Sequence, residues 1–237
     1  MIGLVGAMLG ASIAVVDDGP ITLQVAGLGG VPADGVTAVV LNVTAVAPTA
    51  GGYVTVSPTG SPRPVVSNLN TRPGVTTPNL VFVKLGAFGR VDLYNSSGTL
   101  NLLADVAGYY TTGSGSLFHA LAPVRVLDTR SGIGAPTATV TAGHPVTLQV
   151  GGIAGLPATG VTAVVLNVTA VLPTSAGFVT VYPAGQNRPL ASNLNALLGV
   201  TAPNLVVAAV SGDGKVVLDS SAAGLDLVAD LAGYDAG

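Results

Sequence analysis

The side chains able to do chemistry in this 237-residue chain are few, and their types narrow what is possible. There is no Cys and no Glu, there are two His and eight Lys or Arg, and all eleven acidic residues are Asp. Zero Cys removes disulfides, thiolate metal sites and cysteine nucleophiles together. A Ser-His-Asp arrangement would need His119 or His144 beside a Ser and an Asp, and no G-x-S-x-G motif accompanies either. Two His also fall short of the usual three-ligand catalytic zinc site, and no stretch has the dense acidic spacing of a calcium loop. The expectation is a protein that is not an enzyme and has no cofactor or metal. A net charge of −3, with the basic residues scattered singly, gives no footprint for nucleic acid or for an anionic membrane.

Which polar residues matter is indicated by an internal repeat. GVTAVVLNVTAV at 35–46 returns unchanged at 160–171, SNLN at 67–70 returns at 192–195, and ADVAGYY at 104–110 returns as ADLAGYD at 229–235. Every pair is 125 positions apart, and residues 21–110 match 146–235 at 52 of 90 positions without a gap. Two copies of one domain follow, spanning 1–113 and 114–237, with the polar TTGSGS stretch at 111–116 as the connector.

Polar residues present in both copies are the candidates for a polar network or a ligand site: Asn42, Thr44, Asn68, Asn70 and Asp105, with Asn167, Thr169, Asn193, Asn195 and Asp230; Arg63, Ser67 and Asn79, with Arg188, Ser192 and Asn204, also recur and are plausible partners. A buried Asn must satisfy its amide, so these groups are expected either to clamp loops onto the domain or to bind a ligand through their oxygens. The recurring aromatics, Tyr53 with Phe178 and Tyr109 with Tyr234, are expected as plugs at a rim or as a platform for stacking sugar rings. Arg125, Asp128 and Arg130 form the most charged point, expected as a salt bridge with a turn cap or as a contact to a neighbouring module.

The elements that carry these residues are read from pattern. The chain holds 38 Val, 33 Gly and 16 Pro, and two Lys and three Gln to cover helix surfaces. Apolar residues alternate at period two between turn signals, as at Val54 and Val56 or Val91 and Leu93. AVVLNVTAV is apolar on both faces and reads as a central strand. Gly212-Asp213-Gly214, between VVAAV and KVVLD, reads as the turn of a hairpin. The predicted fold is all-β, two tandem antiparallel β-sandwiches, with a barrel as the alternative.

The second copy opens with LFHALAPVRVLDTRSGIG at 117–134, and the first has no VRVLDT strand. The first 16 residues of the chain carry no charge and are expected to belong to the fold, because they lack a basic region and are too short to span a bilayer; they include the apolar segment Ile2–Leu9. This segment is expected to fill the missing strand's place in cis. Alternatively, a strand from a neighbouring molecule fills it, linking subunits head to tail.

VLNVTAV, PTAGGYVTV, SNLN, PNLV and ADVAGYY, together with PVRVLDTRSGIGA, resemble a tandem β-repeat module of exported and cell-wall-associated proteins of actinobacteria and other bacteria. The resemblance implies an extracellular or cell-surface location and an accessory role beside other domains. Expected partners are neighbouring modules, copies of itself or cell-wall polysaccharide. The expected function is a non-catalytic structural or adhesion module, with a carbohydrate-binding accessory module as the alternative.

Overall fold

In the computed structural model the regular secondary structure is nearly all β, and the chain divides into two compact units, Gly3–Ser114 and Gly115–Gly237. The structure describes residues 2–8, 13–15, 19–113 and 115–237, the first two segments as backbone only. Leu9 and Ser114, within the expected leading segment and connector, lie outside the described residues.

The first unit contains β1 (Ile2–Met8), β2 (Ile13–Val15), β3 (Ile21–Gln24), β4 (Val36–Val46), β5 (Gly52–Pro58), β6 (Leu69–Thr71), β7 (Thr77–Lys84), β8 (Arg90–Asn95) and β9 (Leu100–Thr111). One sheet has the order β1-β9-β4-β7, with β2 also paired to β9, and the other has the order β3-β8-β5-β6. The second unit contains β10 (Leu117–Asp128), β11 (Val146–Gln149), β12 (Val161–Val171), β13 (Gly177–Pro183), β14 (Leu194–Ala196), β15 (Ala202–Ala209), β16 (Lys215–Ser220) and β17 (Asp226–Ala236). Its sheets run β10-β17-β12-β15 and β11-β16-β13-β14. All four sheets are open, so the architecture is sandwich-like and the barrel alternative falls.

Period-two alternation fixes which side chains meet between the layers. Leu41 and Val43 of β4 join Val54, Val56, Val91 and Leu93 of the facing sheet in one buried cluster. Leu166 and Val168 join Val179, Val181, Val216 and Leu218 in the other. Burying a Val or Leu side chain fully contributes about 1.5–3 kcal/mol, so each cluster is a main source of its unit's stability. The central strand is covered on both faces as its composition requires: residues Val39 to Ala45 of β4 are all buried.

The expected hairpin at Gly212–Gly214 is corrected by the topology. Gly214, at φ +78, does make a tight turn in which its N–H donates to the Ser211 carbonyl at 2.8 Å. The flanking strands nonetheless belong to different sheets, β15 beside β12 and β16 beside β13. Val206 and Ala208 before the turn and Val216 and Leu218 after it face the same buried cluster from the two layers.

The leading strands differ between the units. In the second, β10 covers the edge of β17 from Ala236 to Val228. In the first, the matching position beside β9 is held by β1, so the apolar start does pair within its own unit. Just beyond it, Val15 pairs with Leu100 as Val140 bridges Leu225, the same register 125 residues on.

Candidate functional site

The recurring polar residues separate into two groups, one around the connection that follows β5 and β13 and one on the outer face of the β4 and β12 sheets. The first group holds the long connection after β5 and β13 against the sheet. The Val56 N–H donates to Asn68 Oδ1 at 2.8 Å, and the Val181 N–H donates to Asn193 Oδ1 at 2.7 Å. Asn79 Nδ2 donates to the Asn68 carbonyl at 2.5 Å, and Asn204 Nδ2 donates to the Asn193 carbonyl at 2.6 Å. The buried hydroxyls of Thr55 and Thr180 donate to the carbonyls of Val66 and Ala191. Each amide thus replaces a ladder partner that a strand would have supplied. Asn70 lies exposed on β6, where it accepts from the Ser67 hydroxyl at 2.7 Å, and Asn195 is half-buried on β14.

The second group sits on the sheet face turned away from the core. Asn42 stands directly opposite Asp105, and Asn167 directly opposite Asp230. Asn42, Thr44 and Asp105 are buried, whereas Asn167, Thr169 and Asp230 are half-buried. The Thr44 hydroxyl has no hydrogen-bond partner among the described residues.

Arg125 extends this second line in the second unit. It lies opposite Asp230 in the β10–β17 pairing and grips it with two bonds, Nε to Oδ1 at 2.7 Å and Nη2 to Oδ2 at 3.1 Å. Asp128 receives Arg130 through Nε at 2.9 Å, Nη2 at 2.7 Å and the backbone N–H at 3.0 Å, with Arg125 Nη1 at 3.4 Å. The Arg130 bonds, joined by the two positive charges, hold the Asp128 carboxyl well below the usual carboxylate range. Thr129 completes the seam, its hydroxyl donating to Asp226 Oδ1 and accepting from the Leu227 N–H, both at 3.1 Å. These charges pair across one edge of one unit.

Of the four aromatic candidates, Tyr53 is 38% exposed. Phe178 is half-buried, with the Arg188 guanidinium 4.9 Å from its ring centroid. Tyr109 and Tyr234 pack against the two cores, and the Tyr234 ring is stacked on His119 at 4.8 Å. His144 lies apart, exposed in a turn where its N–H donates to the Thr141 carbonyl at 3.0 Å. Asp235 is buried, which pushes its carboxyl upward, opposed in part by the charge of His119.

Arg63 and Arg188, retained in both copies as plausible partners, make recurring contacts. Arg63 lies over the Tyr94 ring at 3.7 Å, while Arg188 pairs with Asp219 at 3.1 Å. Tyr94 and Asp219 occupy the same place in the two repeats, so one guanidinium is served by a ring face in one and a carboxylate in the other. The signal was an arginine held constant while its partner's type changed.

Among the described residues no cluster of three or more His or Asp side chains could hold a metal ion. No helix is long and apolar enough to cross a membrane. No protein-family model matches the chain, and no curated protein is similar to it.

Proposed function

We propose that the chain is a non-catalytic structural or adhesion module of an extracellular surface, in which the two repeats act as stable bodies joined in series. The observation that carries this reading is the use made of the recurring polar side chains. Asn68 and Asn193, Asn79 and Asn204, Thr55 and Thr180 all spend their hydrogen bonds fastening one connection to the sandwich. These recurring side chains thus keep each body closed, as a mechanical part requires. The resemblance to tandem modules of exported bacterial proteins supports the same reading, and neighbouring modules or copies of the chain are its partners.

Stretching single molecules end to end tests it. Two unfolding peaks are expected, each releasing about 40 nm at roughly 3.4 Å per residue. Extension without resolvable peaks would count against a load-bearing part. The exposed Tyr53 ring favours the carbohydrate-binding alternative. Retention on peptidoglycan or an insoluble polysaccharide, lost on Tyr53→Ala, would establish that alternative in place of the mechanical one.

A further inference from the structure

The two repeats present the same receiving edge with two different strands laid on it. Along β17 the edge from Val228 to Ala236 takes β10, and the corresponding stretch of β9 runs from Leu103 to Thr111. The features that seat β10 recur on β9. Asp105 stands opposite Asn42 as Asp230 stands opposite Asn167, so a strand laid in the β10 register brings its arginine to Asp105. Phe118 of β10 lies on Gly233, where a Cβ would come within 2.6 Å of the ring, and Gly108 stands at the equivalent place on β9.

The present occupant is a poor match for these features. β1 has seven residues against twelve in β10, two of the seven are Gly, and none is charged. Interior glycines weaken a strand, and β1 offers fewer ladder positions than β10.

We propose that the β9 edge of the first unit is a receptor for the leading strand of another repeat of this type, supplied in trans and displacing β1. The partner is an extended segment in which an arginine flanked by aliphatic residues stands opposite Asp105, as Val124-Arg125-Val126 does opposite Asp230. The added strand gains a backbone ladder and a charge-assisted pair together, the mode by which extended segments bind sheet edges. This deepens the structural reading by naming the partner, and it rests on that reading for its setting. Peptide binding and single-molecule stretching are separate measurements, so either can fail without the other.

The test uses the full chain and a fluorescein-labelled peptide of residues 117–130, followed by fluorescence anisotropy. Saturable binding is expected, weakened about tenfold by Asp105→Asn, the cost of a bond to a charged group, and unchanged by Asp230→Asn. The peptide carrying Arg125→Ala should lose about as much, and it requires no altered protein. Asp105→Arg with a peptide carrying Arg125→Asp should recover binding. No saturable binding by the unaltered chain overturns the proposal. So does binding indifferent to both Asp105→Asn and the peptide's Arg125→Ala, or binding lost only on Asp230→Asn, which would place the peptide on the second unit.

Discussion

In the second unit Arg125 reaches from β10 to grip Asp230 while Asp128 draws in Arg130. In the first, the same edge is taken by a strand whose sequence holds no charge. Behind that edge the bodies coincide: β4 and β12, β5 and β13, β6 and β14, β7 and β15 begin and end 125 residues apart. The contrast teaches that the sandwich does not depend on one particular leading strand. Its interior and its Asn clamps define the body, and the edge is where variation is tolerated.

The comparison is broken most severely at the cores. Leu41 and Leu166 are equivalent and fully buried, and replacing either by Ala should cost about 3 kcal/mol. Because the two clusters share no residue, denaturant unfolding should show two transitions, with each substitution shifting one of them. A single transition displaced by either change would mean that the repeats unfold as one body.

A smaller loss is expected at the clamps. Asn68→Ala and Asn193→Ala each leave a strand N–H without its acceptor, at a cost of about 1–3 kcal/mol. The two losses should agree, since the geometry agrees. Hydrogen exchange at Val56 and Val181 would register the freed amides directly, and unchanged protection would show that the bonds matter little.

The smallest effect sharpens the contrast at the edge. Arg125 is 41% exposed, so water screens its pairing and Arg125→Ala should cost at most about 1 kcal/mol, in the second unit alone. Acid adds a check with a definite sign. Asp128 titrates lower folded than unfolded, so its stabilisation is present above the unfolded value and is lost as pH falls below about 4. Melting of the second unit followed from pH 6 to pH 2 should therefore decline less steeply in Asp128→Asn than in the parent chain. Equal slopes would remove Asp128 from the acid response.

Much of this body was legible in the residues. Period-two alternation placed Val54, Val56, Val91 and Leu93 in the core, and the doubly apolar AVVLNVTAV identified the centre of a sheet. The layer change at Gly212–Gly214 was not legible, because a tight turn reads the same whether its strands pair or part. What separates them is which strands β15 and β16 pair with, β12 for one and β13 and β11 for the other, a long-range choice that no local pattern expresses. The polar residues were found by their recurrence, but recurrence does not say which of them meet. Asn42 stands on β4, whereas Asn68 lies in the connection before β6 and bonds to β5 of the facing sheet.

That strand order has a consequence for synthesis. β4 pairs with β9, so the ribosome must deliver nearly a whole repeat before the central ladder closes. Meanwhile Val36–Val46 waits as an unpaired, valine-rich segment, and Val161–Val171 is the same eleven residues over again. In the nascent chain the strands that arrive last, β15 and β17, thus meet two identical suitors, a situation that invites cross-pairing between repeats. Emergence in order is what protects it, because the first ladder can close before the second copy of the segment leaves the ribosome.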